Sequence, residues 1–182
     1  MTTLFPDLPD RIRWDRVWCM PSADTFSMPP VADLLDRWLR GCAVIVDPFA
    51  RNGRRGTHRN DLNPETRAEY HMDAAAFCVL LLSEGVRADA VIFDPPYSPR
   101  QISEVYAGVG RECHTAETQS GVLYQSVRDG LDRLMSPGGV ALSFGWNSAG
   151  FGKGRGYLTY EILLCAHGGA QNDTICVVER KL

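Results

Sequence analysis

An acidic residue, two prolines and an aromatic residue follow one another in the tetrapeptide Asp94-Pro95-Pro96-Tyr97. A predicted buried strand at 88–93 comes directly before it, ending in the apolar run 90–93. Proline has no amide hydrogen to donate to a neighbouring strand, so the two prolines must end this one. In open α/β sheets, ligands bind at the carboxyl ends of the strands. A carboxylate, rigid carbonyl groups and a ring at that edge could hold an amino group and stack a flat base.

Four earlier segments stand in an order and at spacings that match a known family. They are Asp24-Thr25-Phe26-Ser27-Met28-Pro29-Pro30, Asp47-Pro48-Phe49-Ala50, Asn60-Asp61-Leu62-Asn63-Pro64 and His71-Met72-Asp73-Ala74. With the later tetrapeptide, they resemble the motifs of the DPPY-type amino-methyltransferases. Members of this family use S-adenosylmethionine to methylate an exocyclic nitrogen, most often N6 of adenine in DNA. The resemblance covers roughly residues 21–100, and small stand-alone members of this kind are typical of phages.

The resemblance implies a role for each segment. The catalytic motif would consist of Asp94, Pro95, Pro96 and Tyr97. The residues at the S-adenosylmethionine site would be Thr25, Phe26, Ser27, Met28, Asp47, Pro48, Phe49, Asp61, Asp73 and Ala74. In this assignment Asp61 binds the ribose hydroxyls and Asp73 accepts a hydrogen bond from the cofactor adenine. The segments at 25–28 and 47–49 surround the methionine part.

The chemistry of adenine explains why such residues are needed. Its exocyclic nitrogen is a weak nucleophile because the lone pair is delocalised into the ring. Acceptors at the Asp94 carboxylate and the Pro95 carbonyl would take the two amino hydrogens and favour a pyramidal nitrogen. They would also stabilise the positive charge that develops during transfer. Stacking on Tyr97 would contribute about 1–3 kcal/mol, as in single-strand binders, and a base in a duplex would first have to be flipped out.

The loop after Asp47 departs from the family's pattern. Arg51 stands where the family has the first glycine of a glycine-rich turn, and Arg54 and Arg55 follow. Only 13 residues separate Asp47 from Asp61, so we expect the helix usually found there to be missing or reduced to a turn. The arginines fit either a solvated surface loop or a patch that binds phosphate or carboxylate.

The remaining pattern predicts an α/β chain. Predicted helices lie at 31–39, 74–82 and 120–135, and predicted strands at 42–46, 88–93, 140–144, 157–166 and 174–178. Alternating helices and strands followed by a hairpin favour a Rossmann-like methyltransferase fold, with a mostly parallel seven-stranded sheet and a C-terminal antiparallel hairpin. Residues 1–23 are predicted to be irregular, with Trp14 and Trp18 capping the core.

The bulk composition fits one domain and does not by itself indicate a nucleic-acid binder. The chain has 182 residues, of which 45% are hydrophobic, and a formal net charge of −3. That length allows a sizeable core, whereas DNA-binding proteins are more often basic. We expect a single methyltransferase domain over residues 1–182, with no separate target-recognition domain.

Cysteine and histidine usage indicates a reduced, metal-free protein. The 6 cysteines form no CxxC pair, and the 4 histidines are scattered without ligand spacing. The first ten residues lack the basic and apolar regions of a signal peptide, and no apolar run reaches the ~18 residues of a membrane span. We therefore predict a cytoplasmic location and no membrane partner.

The expected partner is nucleic acid, with DNA the first choice. Without a recognition domain, the sequence specificity would be relaxed or short, or would come from a specificity subunit or a homodimer. Two alternatives use the same chemistry, on RNA or on a free adenine nucleotide. A third is a catalytically silent relative that binds nucleic acid or a partner, motivated by the altered loop at 51–56.

Overall fold

The computed structural model describes residues 11–96, 120–169 and 172–182. Seven strands form one sheet: β1 (Arg13–Trp18), β2 (Ile45–Asp47), β3 (His58–Arg59), β4 (Ala88–Phe93), β5 (Met135–Gly145), β6 (Tyr157–Ala166) and β7 (Thr174–Lys181). Their order across the sheet is β1-β6-β7-β5-β4-β2-β3. Strand β7 is antiparallel to both of its neighbours, and all other pairs are parallel. The predicted fold class is confirmed.

Helices cover both faces of this sheet. Helix α1 (Pro29–Trp38) lies on one face, while α2 (Ala74–Ser83) and α3 (Ser120–Leu134) pack together on the other. Pro29 and Pro30 start α1, where the first amides of a helix have no partner within it. The Asp73 side chain caps α2 by accepting hydrogen bonds from its first turn. All three predicted helices are present.

Strand β4 is buried on both faces, which explains its unbroken apolar run. Val91 and Phe93 belong to the core under α2 and α3, and Ala90 and Ile92 to the core under α1. All four side chains are at most 1% exposed. A strand in this position needs apolar residues at every step rather than at alternate ones.

The prediction for the N-terminal segment is wrong. Residues 13–18 form the edge strand β1 beside β6 rather than an irregular segment. Trp14 is 59% exposed and Trp18 is 67% exposed, so neither caps the core. The spacing of four between the two tryptophans does not distinguish a helix from a strand, because residues four apart share one face in both. Strand β1 lies at the edge of the sheet and has a neighbouring strand on one side only.

Two other strands differ from their predicted bounds. The strand expected at 140–144 begins at Met135. Met135 pairs with Ala88 of β4 and Val140 pairs with Ala90, so a register shift between these pairs accommodates residues 136–139. Strand β3 has only 2 residues, followed by an isolated bridge between Asn60 and Tyr70. Within the described part of the chain, no helix is both long and apolar enough to cross a membrane.

Candidate active site

Three acidic residues lie where neighbouring parallel strands end. Asp47 is the last residue of β2, Asp94 follows β4, and Asp61 lies two residues after β3. Strand β2 pairs with both β3 and β4 in the parallel sense. Their carboxyl ends therefore meet at one edge of the sheet, where α/β proteins bind ligands.

Asp47 is the most deeply buried of these acids, at 1% exposure. Its Oδ1 atom accepts a hydrogen bond from the Phe49 amide at 3.2 Å, whereas Oδ2 is buried with no hydrogen-bond partner among the described residues. Gly56 lies against it, because a Cβ atom there would come within 2.9 Å of the Asp47 Cβ. Burial, reinforced by the charges of Asp94 and Asp61, raises the pKa of Asp47 to about 8. A buried carboxyl oxygen without a donor is costly, which marks it as a candidate ligand-binding atom.

The loop after Asp47 keeps a tight turn despite its altered sequence. Arg51 adopts a left-handed backbone with φ of 49°, the conformation that glycine adopts at least cost. The Arg51 amide donates to Asp61 Oδ2 at 3.0 Å, and the Gly53 amide donates to the Ala50 carbonyl at 2.7 Å. No helix lies between β2 and β3, which are both described throughout, so the expectation of a missing or reduced helix is confirmed.

The arginines near this turn divide into two groups. Arg55 pairs with Asp36, and Arg59 pairs with Glu69, so these two are neutralised at the surface. Arg51 instead donates from Nη1 to the Ala23 carbonyl at 2.5 Å and forms no ion pair with the described residues. Its positive charge lowers the pKa of Asp94. Arg51 is therefore a cation close to the candidate catalytic acid.

Asp61 and Asp73 are both oriented by backbone amides. Asp61 accepts from Arg51 through Oδ2 and from the Asn63 amide through Oδ1 at 2.9 Å. Asp73 uses Oδ1 for the Ala75 and Ala76 amides, at 2.9 and 3.1 Å. Ala74 packs beneath them in the core.

Asn60 is a residue whose importance the sequence does not reveal. Its side chain donates to the carbonyls of Pro48 at 3.1 Å and Met72 at 3.0 Å. It also accepts from the Met72 amide at 3.1 Å and is 1% exposed. Asn60 thus joins the segment after β2 to the segment before α2. The one sequence feature that could have indicated this role is the position of Asn60, a short amide side chain, directly before Asp61.

Replacing Asn60 with alanine should destabilise the fold by about 2–3 kcal/mol, because three buried hydrogen bonds are lost and their partners stay buried. Denaturant unfolding measures this change. Asn52→Ala is the matched control, since that exposed side chain accepts a single bond from the Arg67 amide. Equal stability of the two variants would contradict the assignment.

The turn at 24–28 connects the N-terminal segment to the acids. Asp24 caps it, and the Phe26 ring packs edge-on against Phe144 with centroids 5.1 Å apart. Thr25 reaches Asp94, where its hydrogen bond lowers the pKa of the carboxyl. The Ser27 hydroxyl donates to the Asp24 carbonyl at 2.7 Å. Met28 packs in the core at 3% exposure.

Aromatic side chains contact the described part of the candidate catalytic motif, Asp94-Pro95-Pro96, and the end of β4. Burial raises the pKa of Asp94 to about 7, although Thr25 and Arg51 act in the opposite direction. The Tyr124 hydroxyl donates to the Pro96 carbonyl at 2.9 Å, and the Tyr124 ring packs against Phe93 and Phe49. Tyr97, the predicted stacking residue, lies outside the described residues.

Among the residues described, no group of three or more His, Cys, Asp or Glu side chains could hold a metal ion. Cys19, Cys42, Cys78, Cys165 and Cys176 are free thiols.

Comparisons with known proteins identify the fold. No family model and no curated protein matches this chain. Among solved structures, TrmN from Thermus thermophilus is 17% identical with a TM-score of 0.55, over 85% of this chain and 49% of its own. NSun6 from Pyrococcus horikoshii, solved with SFG, is 16% identical with a TM-score of 0.52, over 81% and 50%. The N-methyltransferase NodS from Bradyrhizobium japonicum WM9 is 12% identical with a TM-score of 0.54, over 82% and 93%.

These identities are low, and the chain spans only about half the length of the first two proteins. What they establish is a shared architecture. The chain has the Rossmann-like fold found in methyltransferases such as NodS, with its acidic residues at the carboxyl edge of the sheet.

Proposed function

We propose that this protein transfers a methyl group from S-adenosylmethionine to the N6 amino group of adenine in DNA. The observation that carries the proposal is the position of Asp94-Pro95-Pro96 at the end of β4, next to the buried Asp47 at the end of β2. A methyl acceptor and a methyl donor need adjoining sites, and these strands are neighbours in the sheet. The methyltransferase fold is consistent with this arrangement.

The residues around Asp47 fit S-adenosylmethionine. The unpartnered Asp47 Oδ2 matches the ammonium group of the methionine part, which would supply the missing donor. Asp61 would hold the ribose hydroxyls and Asp73 the adenine amino group, since backbone amides already orient both carboxylates. The site would be completed by Thr25, Phe26, Ser27, Met28, Pro48, Phe49 and Ala74.

The reaction follows from the acceptors at the end of β4. When bound, S-adenosylmethionine supplies an electrophilic methyl group on a sulfonium. The Asp94 carboxylate and the Pro95 carbonyl would accept the two amino hydrogens and direct the nitrogen lone pair at that methyl. The nitrogen–carbon bond would form as the sulfur–carbon bond breaks, with its electron pair passing to sulfur. The extra proton would then leave the nitrogen for solvent. Tyr124 would keep the Pro96 carbonyl, and with it the tetrapeptide, in place.

The same chemistry on RNA or on a free adenine nucleotide is the second candidate. The Arg51 guanidinium suits a phosphate of RNA or of a free nucleotide as well as one of DNA. A silent relative is less well supported, because the turn at Arg51 keeps the backbone conformation of the glycine it replaces. We further propose that a specificity subunit or a homodimer supplies the sequence recognition.

Calorimetric titration with S-adenosylmethionine tests the cofactor site. We expect wild-type protein to bind and Asp61→Ala to bind at least about tenfold more weakly, because charged hydrogen bonds to the ribose are lost. Asp61→Asn is the control that keeps the size of the side chain and one of the two acceptor oxygens used by the Arg51 and Asn63 amides. If the wild-type protein does not bind the cofactor, the proposed function is wrong. Methyl transfer to unmethylated DNA, RNA and adenine nucleotides then identifies the substrate.

A further inference from the structure

A groove of about 550 Å³ lies between the end of β1 and the start of α1. Its lining includes Trp18, Met20, Ser22, Ser27, Pro29 and Pro30. Trp18 and Met20 are 67% and 68% exposed, which is unusual for side chains of their size and apolarity. The Ser22 and Ser27 hydroxyls bond to each other at 2.8 Å on its wall. The groove therefore combines an indole face with a small polar edge.

The wall of the groove is also part of the candidate active site. Ser27 belongs to the turn at 24–28 that brings Thr25 to Asp94, and the Ser22 hydroxyl accepts from the Asp24 amide that begins this turn. The Arg51 guanidinium donates at 2.5 Å to the carbonyl of Ala23, the residue just before the turn. The Arg51 guanidinium and the groove thus both lie next to the turn at 24–28, and Thr25 of the same turn contacts the Asp94 carboxyl.

We propose that this groove binds the nucleobase next to the target base in a single-stranded or locally unpaired polynucleotide, and that Arg51 binds the phosphate between the two. This inference rests on the proposed function and assigns it a polymeric substrate. An aromatic face stacks on any base, and a guanidinium binds phosphate through paired hydrogen bonds. A free mononucleotide would leave the groove empty.

Charge is the reason to favour a nucleic acid over an apolar protein segment. The Arg51 guanidinium makes its hydrogen bond to a neutral carbonyl and has no carboxylate partner among the described residues. Although its charge also acts on Asp94, a guanidinium at a binding surface is complementary to an anion. This local site accounts for how a chain with net charge −3 could hold a polyanion.

Fluorescence anisotropy with labelled, adenine-containing single-stranded DNA and RNA tests the proposal. Trp18→Ala should weaken binding about tenfold, and Trp18→Phe should keep most of the affinity because it retains an aromatic face. Arg51→Gly should weaken binding and lower the slope of log affinity against log salt by about one. Trp18 is an exposed residue, so its variants should fold, and circular dichroism with thermal unfolding verifies this independently of cofactor binding.

Several outcomes would overturn the groove assignment. They are unchanged oligonucleotide affinity in Trp18→Ala, equally efficient transfer to a mononucleotide, and a change in oligomeric mass caused by Trp18→Ala, which would assign the groove to a second copy of the chain. Methyl transfer by wild-type protein would leave the proposed function standing in each case. Conversely, Trp18-dependent oligonucleotide binding without cofactor binding would keep the groove and reject the methyltransferase function.

Discussion

Asp94→Ala should abolish methyl transfer while leaving S-adenosylmethionine binding nearly unchanged. The Asp94 carboxylate would accept an amino hydrogen and stabilise the positive charge that develops on the nitrogen. Removing one such pre-placed group typically lowers the catalytic rate by ~100- to 1000-fold. The rate is measured as transfer of a radiolabelled methyl group to unmethylated DNA, and the cofactor affinity by calorimetry. If Asp94→Ala keeps most of its activity, the proposed mechanism is wrong.

The pH dependence provides a second readout of the same residue. Burial raises the pKa of Asp94 to about 7. Only an ionised carboxylate carries no proton, so both of its oxygens act as hydrogen-bond acceptors. The transfer rate should therefore rise from pH 6 to 8 and level off above that range. Asp94→Asn cannot ionise, so its residual activity should lack this acidic limb. An unchanged limb in Asp94→Asn would assign the titration to another group.

Strand β4 and the tetrapeptide that follows it were predictable, because the residues that indicate them are adjacent in the sequence. A run of buried apolar residues followed by two prolines fixes both the strand β4 and the point where it ends. The helices α1 and α2 were equally accessible, since Pro29 and Asp73 provide start signals next to apolar residues. Local patterns thus sufficed to place Asp47 and Asp94 at strand ends.

The features that escaped prediction depend on contacts between distant segments. Strand β1 exists because it pairs with β6, which is far away in the sequence. The left-handed backbone of Arg51 is stabilised by the hydrogen bond that its amide donates to the Asp61 carboxylate, whereas sequence rules assign that conformation to glycine. The role of Asn60 requires both Pro48 and Met72 in position. These features arise from tertiary contacts, so no periodic pattern of residues in the sequence indicates them.

The unpartnered oxygen of Asp47 leads to the second large effect. Asp47→Asn should weaken S-adenosylmethionine binding by ~100-fold or more, since one partner of a buried charged pair is replaced by a neutral amide. In the wild-type protein the pKa of about 8 keeps the carboxyl largely protonated at pH 6. Cofactor affinity should therefore rise with pH up to about 8, by nearly tenfold for each pH unit. Calorimetry at several pH values measures this, and a pH-independent affinity would contradict the role of Asp47.

The same substitution should stabilise the cofactor-free protein at alkaline pH. The pKa of Asp47 is raised from 3.8 to about 8, so the folded state keeps a proton that the unfolded state releases. The stability contributed by this group is complete below pH 3.8, falls as the pH rises towards 8, and is constant above that value. Asparagine releases no proton, so the melting temperature of Asp47→Asn relative to wild type should increase steadily between pH 5 and 8. A difference that stays flat over that range would show that the wild-type carboxyl ionises normally. An increase would mean that the chain sacrifices stability to keep a buried carboxylate available for a cationic ligand.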